Sequence, residues 1–256
     1  MASRFFKLLS LVLPVPAIVP LSFSSSTFLL YPIPGWSLRW HQHLVMSESW
    51  CVAAKNSFII GLAATLVATV LGTLAAIGIT KASFRGNAIL MAVLILPMIA
   101  SVVVVGVAIC LFFAPPGLAK TYSGLILAHA ALGVPVVVMT VSTTLQGFNC
   151  NLVRASLSLR ANPVTTFFRR TLSVIAPGVI SGALFAFAKS FGEIVVPLYL
   201  ASPGQTTLPR QMFTGLRENI SPPIATLTTI LVVFSTCLLL ALDWLRGRHA
   251  ARAVRS

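Results

Sequence analysis

Acidic side chains are nearly absent from this chain of 256 residues: Glu48, Glu193, Glu218 and Asp243 are the whole set. All charged residues together make up 9% of the chain, where a soluble domain carries about 25%. So few charges exclude a water-facing surface over most of the molecule, and the surface they leave faces lipid. Cysteine is sparse as well. Cys51, Cys110, Cys150 and Cys237 are far apart, form no CxxC pair and outline no disulfide framework. They read as small apolar residues in or beside apolar runs. His41 and His43 flank Gln42, with Glu48 near in sequence, but a metal centre needs three or four ligands and no convincing third is present. No serine or cysteine has a base and an orienting group that can be placed beside it, so an enzymatic reading has no support. The G-x-x-x-x-G-K-[ST] loop of a nucleotide-binding site is missing too.

What the chain has instead is apolar length, with 57% hydrophobic residues. A helical span needs roughly 20 apolar residues, because the hydrocarbon core is ~30 Å thick and a helix rises ~1.5 Å per residue. The apolar runs predict an all-α, polytopic membrane bundle in one domain, with six spans: Phe5–Leu30, Ser57–Ile79, Ala88–Phe113, Ser123–Leu145, Val174–Leu200 and Ile224–Leu245. Pro14, Pro16 and Pro20 predict a kinked or interrupted first run, and Pro135 a kink in the fourth. The first run exceeds signal-peptide length and Ser24–Ser26 is a poor cleavage site, which predicts an uncleaved span. Between the first two runs, Trp36, Trp40 and Trp50 suit the headgroup layer.

The net charge of +14 has a topological meaning. Arg4, Lys7, Lys81, Arg85, Arg154, Arg160, Arg169, Arg170, Arg246, Arg248, Arg252 and Arg255 fall on one side of the predicted spans. Arg39, Lys55, Lys120, Arg210 and Arg217 fall on the other, and Lys189 lies within a span. The positive-inside rule then puts both termini in the cytoplasm. No basic-aromatic module accompanies these charges, so nucleic acid is not a partner.

Two spans carry packing signals. Lipid gives helices no hydrophobic drive to associate, so small residues at four-residue spacing bring backbones together. Ala64, Ala68, Gly72 and Ala76 form such a stripe in the second span, and Gly178, Gly182, Ala186 and Ser190 in the fifth. Thr65, Thr69 and Thr73 run beside the first stripe; they read either as part of a structural seam or as lining of a substrate path. Lys189 and Glu193, four apart in the fifth span, are placed to pair. Charge in a membrane is costly, so they are expected to face the interior, a cavity or the interface. Either they satisfy each other, or Glu193 lies on the path of a cationic substrate. His129 in the fourth span reads as a hydrogen-bonded packing residue.

Between the fourth and fifth spans lies a polar, basic segment, Gln146–Ser173. Asn162-Pro163 makes a good cap and first turn, splitting the segment into two short helices near Ala161. Leu152, Ser156 and Leu159 share a face of the first, and Phe167 and Phe168 give the second an apolar patch. A soluble partner docked on that face or an anionic lipid surface beneath it are the two physical readings.

The order and spacing of several short pieces are similar to those of the spermidine/putrescine-type permeases of bacterial ABC importers. The pieces include Gly35-Trp36-Ser37-Leu38-Arg39-Trp40, Asn56-Ser57, Leu96-Pro97, Ala128-His129, Leu145-Gln146-Gly147, Ala161-Asn162-Pro163, Ser190-Phe191-Gly192-Glu193 and Thr207-Leu208-Pro209. The resemblance implies an inner-membrane permease with a cytoplasmic coupling helix between its fourth and fifth spans. Its partners would be ABC ATPase subunits that bind the ATP, a second permease subunit and a periplasmic substrate-binding protein, with no cofactor in this chain. The family's motif E-A-A-x3-G-x9-I-x-L-P falls on Arg154, Ala155, Ser156, Arg160, Arg170, Leu172 and Ser173, of which Ala155 and Leu172 match. Arg154, Ala155, Ser156, Leu159, Arg160, Phe167 and Leu172 are thereby the expected ATPase-docking residues. The arginine at the motif's acidic position implies an ATPase cleft that accepts arginine, a weakened coupling, or coupling carried by the second permease. The family's acidic residue in the fifth span falls on Glu193, and a preceding acidic position of polyamine-type relatives falls on Gly192. Polyamines, iron(III), aminoethylphosphonate and opine-like compounds all fit relatives of this type. An ion-coupled secondary transporter and a non-transporting scaffold or inactive paralogue are the alternatives.

Overall fold

The computed structural model describes residues 14–26, 33–81, 86–146, 172–218 and 222–253. Among them the regular structure is helical, apart from a short 3-10 turn at Pro203–Gln205 and an isolated antiparallel bridge between Ser24 and Trp36. The helices are α1 (Pro14–Leu21), α2 (Arg39–Met46), α3 (Glu48–Lys81), α4 (Asn87–Ile99), α5 (Val102–Phe113), α6 (Tyr122–Gln146), α7 (Leu172–Phe191), α8 (Val195–Leu200), α9 (Leu208–Glu218) and α10 (Pro222–Ala253). In lipid a helix satisfies its own backbone groups, and apolar sequence of this length has no other open-chain option.

By length and composition α3 and α6 can each cross a membrane, and α4 with α5 make a third crossing if their bent pair is one span. Ile175–Phe191 and Pro222–Leu238 are shorter apolar helical stretches. The expected third span, Ala88–Phe113, is therefore broken: α4 and α5 meet at 106°. Pro97 removes a donor from the last turn of α4. Ala100 and Ser101 then take extended ψ values of 150° and 127°. The first apolar run also leaves the helix sooner than its length suggests. After Leu21, Ser22 donates its hydroxyl to Val19 O at 2.7 Å, and the chain turns to pair Ser25 and Phe23 with the 35–37 segment. In the other direction, α3 begins nine residues before the predicted Ser57, with Glu48 in its first turn and Lys81 at its end, each favoured by the helix dipole.

The chain divides into two compact units. One combines the residues up to Ser57 with Pro203–Leu240, and the other holds Phe58–Ser202 with the chain from Ala241.

In the second unit α6 is the axis. Leu125, Ala128, Ala130, Val137, Val138 and Val141 on it are all buried. Both predicted stripes are buried as well: Ala64, Ala68, Gly72 and Ala76 on α3, and Gly178, Gly182, Ala186 and Ser190 on α7. Each packs on α6. A Cβ placed on Gly133 would lie 3.1 Å from Ala68 Cβ and 3.4 Å from Ala186 Cβ, so this glycine marks a point where three helices come together. A Cβ on Gly72 would meet Val137 Cβ at 2.7 Å and the Val134 carbonyl at 3.2 Å. By contrast, α4 buries none of its residues.

In the first unit two adjacent side chains pin a loop. Asn56 donates through Nδ2 to the carbonyls of Gly204 (3.0 Å) and Thr206 (3.1 Å), while Ser57 Oγ accepts the Leu208 N–H at 2.7 Å. Thr226 donates to Ser22 O at 3.2 Å. These bonds explain physically why Asn56-Ser57 and Thr207-Leu208-Pro209 belong to one pattern despite a separation of about 150 residues.

Candidate functional site

The intramembrane charges anticipated in the fifth span meet at a break in that span. α7 ends at Phe191, Gly192–Ile194 leave the helix, and α8 starts at Val195. Glu193 lies in the break. Its side chain is 4% exposed and its Oε2 accepts from Lys189 Nζ at 3.2 Å. Its Oε1 accepts the Val195 N–H at 3.1 Å, which satisfies one of the free donors at the start of α8. The predicted Lys189–Glu193 pair is thus formed, with the carboxylate beyond the helix end rather than on a continuous helix face. Lys189 is asymmetric to its partner: its side chain is 49% exposed, so the cation reaches outward while the anion stays inside.

Directly beneath this break His129 on α6 and Ser190 on α7 join through a 2.8 Å hydrogen bond between Nδ1 and Oγ. Both are buried. His129 is therefore a hydrogen-bonded packing residue, as its place in the fourth span predicts, and its Nε2 has no partner among the described residues. Phe187 and Phe191 of α7 also meet Phe58 of α3 in tilted ring contacts, with centroids 5.2 to 6.5 Å apart. Gly61 lies under the Phe187 ring. Sequence reading found the acid and the histidine. It missed the break that buries the acid and the aromatic trio, whose signal was the spacing of Phe187 and Phe191 opposite Phe58.

The threonine row on α3 behaves differently. Thr65 donates to the Gly61 carbonyl at 2.6 Å, while Thr69 Oγ1 and Thr73 Oγ1 are buried without a hydrogen-bond partner among the described residues. The row is adjacent to the seam as predicted, and no hydrogen bond joins it to Glu193 or Lys189. Of the expected ATPase-docking residues, Arg154, Ala155, Ser156, Leu159, Arg160 and Phe167 lie outside the described residues. Leu172 opens α7 and packs, partly buried, against the core around α6.

His41 and His43 lie in α2, where both make ring contacts. His41 stacks on Phe23 with centroids 4.9 Å apart, and His43 meets the edge of Trp40 at 6.1 Å. The described residues contain no group of three or more His, Cys, Asp or Glu side chains arranged for an ion. In α9, burial holds the Arg210 guanidinium below its ordinary pKa.

Comparison with known proteins narrows what this arrangement serves. Residues 68–253 match the family described as binding-protein-dependent transport system inner membrane component. The chain is 28% identical over 228 residues to the spermidine/putrescine transport system permease protein PotC of Haemophilus influenzae, covering 89% of this chain and 88% of that one. It is 31% identical over 226 residues to the putrescine transport system permease protein PotI of Escherichia coli K12, covering 86% and 80% respectively. A solved bacterial ABC transporter involved in import of the acidic polysaccharide alginate contains a chain of the same fold, with a TM-score of 0.68 over 96% of this chain and 93% of that one, at 12% identity.

Proposed function

The chain belongs to the binding-protein-dependent inner membrane component family, the permease subunits of ABC importers, and from that premise we propose that its solute is an aliphatic polyamine or a close chemical relative. The observation that carries this reading is the buried carboxylate of Glu193, held at a break between two helices in a chain with almost no other acid. A broken intramembrane helix with a charged side chain at the break is the usual architecture of a translocation site. Lys189 neutralises the carboxylate while the path is empty, and its exposed, flexible stem lets an arriving ammonium group take its place. Phe58, Phe187 and Phe191 offer ring faces to the same cation. Likeness to polyamine permeases over most of the chain supports the substrate class.

The finer architecture belongs to the same proposal. The permease domain crosses the inner membrane six times with both termini in the cytoplasm, and pairs with a second permease subunit. A periplasmic binding protein delivers solute to the outer loops. The segment 146–173 seats Arg154, Ala155, Ser156, Leu159, Arg160, Phe167 and Leu172 on an ABC ATPase subunit, where ATP is bound and hydrolysed. Thr65, Thr69 and Thr73 line part of the path, a role that the two unpartnered hydroxyls support.

Uptake of radiolabelled putrescine by cells expressing the whole transporter tests the role of Glu193. Glu193→Gln keeps the shape and removes the charge. The variant is expected to assemble normally and to lose at least about tenfold in uptake at low substrate, the loss of a charge-assisted contact. Wild-type kinetics in that variant would remove Glu193 from the path.

A further inference from the structure

A second polar feature lies at the other end of α6. A cavity of about 550 Å³ is lined by Ile79 and Thr80 of α3, Asn87, Ala88 and Met91 of α4, and Ser142 and Gln146 of α6. Its volume falls in the range of ligand sites, roughly 300–1,000 Å³. Thirteen residues separate Ser142 from His129, which is about 20 Å along a helix axis. The cavity is therefore distinct from the Glu193 site.

Two observations point to an occupant. Ser142 is 3% exposed, lines the cavity and has no hydrogen-bond partner for its hydroxyl among the described residues. A buried hydroxyl left unpaired is unfavourable, so something that completes its bonding is favoured there. The lining also has a sense of charge. The C-terminal ends of α3 and α6 converge on it, and helix C-termini are the negative ends of the backbone dipole. The N-terminus of α4 opposes them, with Asn87 Nδ2 already donating to the Ile79 carbonyl at 2.8 Å. Thr80, Gln146 and Ser142 supply neutral oxygens, while Ile79, Ala88 and Met91 supply an apolar wall.

We infer that this cavity is an inner-side subsite for an aliphatic ammonium compound, with the N–H donors on the Ser142, Thr80 and Gln146 oxygens and the methylene chain along Ile79, Ala88 and Met91. Its inner placement rests on the membrane orientation proposed above. Without a carboxylate the site is weak, and its neutral oxygens hold a cation loosely enough to release it. Those are the properties an exit needs. The acid-bearing break captures the solute and the neutral cavity lets it go.

The test is equilibrium binding of radiolabelled putrescine to inverted membrane vesicles that carry the whole transporter without ATP. It is run in the wild type and, to remove the outer site, in the Glu193→Gln background. Saturable binding is expected in both, displaced by 1,5-diaminopentane and not by uncharged 1,4-butanediol. Ser142→Ala, which nearly keeps volume and removes the hydroxyl, is expected to raise Kd about tenfold, whereas Ser142→Thr stays within about twofold. Gln146→Leu, at an exposed position, provides a second variant free of packing effects and is expected to raise Kd. An unchanged Kd in both Ser142→Ala and Gln146→Leu, or equal displacement by the diol, overturns the inference. If the wild type imports no polyamine while Ser142-dependent binding persists, the transport reading fails and the subsite stands. Normal uptake with no such binding removes the subsite alone.

Discussion

Helices α4 and α6 are both strongly apolar, and they have opposite fates. α6 is buried along most of its length, with Leu125, Ala128 and Val137 fully enclosed, whereas α4 has no buried residue and exposes Ile89, Val93, Leu96 and Ile99. Hydropathy does not separate them, because lipid tails accept apolar side chains as readily as a protein interior does. Small residues separate them. α6 has Gly133 at its centre and meets Gly72, Gly178 and Gly182 on its neighbours. α4 offers branched and long side chains instead, and it ends at a proline-weakened break. Burial in this chain follows close backbone approach more than apolar content.

That contrast can be broken most severely at a close contact between backbones. Gly72→Val drives a side chain into Val137 and the Val134 carbonyl and is expected to cost about 3 kcal/mol or more, seen as loss of monodisperse protein on mild heating. Gly78→Ala in the same helix meets nothing within 4 Å and is expected to be silent or slightly stabilising. Equal behaviour of the two variants would show that small residues here are incidental. A smaller effect is expected at the polar contact between α6 and α7. His129→Leu leaves the Ser190 hydroxyl buried and unpaired, at about 1–3 kcal/mol, and adding Ser190→Ala recovers part of the loss. Strict additivity in that thermal-melting cycle would mean that the 2.8 Å bond does not couple the helices. The smallest effect belongs to α4, where Leu96→Ala is expected to change stability by less than about 0.5 kcal/mol. A large destabilisation there would show that α4 is packed after all.

Much of this was legible in the sequence, and the failures have physical reasons. The second and fourth spans, both small-residue stripes, the Lys189–Glu193 pair and the structural role of His129 follow from periodicity and the cost of membrane charge. The early start of α3 does not, since hydropathy marks where lipid ends and not where helical hydrogen bonding ends. The break between α4 and α5 has Pro97 as its sequence signal, yet Pro135 sits in α6 without ending it. Proline alone therefore does not predict where a helix breaks; the surrounding packing decides. The inter-helix cavity was invisible for a different reason, because its lining comes from three separate segments, none of which carries a charge at the positions involved. Motif resemblance carried the family, although only Ala155 and Leu172 match the coupling pattern.

The most direct test of the account is the energy source. In membrane vesicles or proteoliposomes containing the complete transporter and its binding protein, solute uptake is measured with ATP supplied on the cytoplasmic face and no ion gradient. It is then measured with ATP depleted and a proton or sodium gradient imposed. The permease assignment predicts accumulation in the first condition and none in the second. Undiminished uptake from the gradient alone would contradict it.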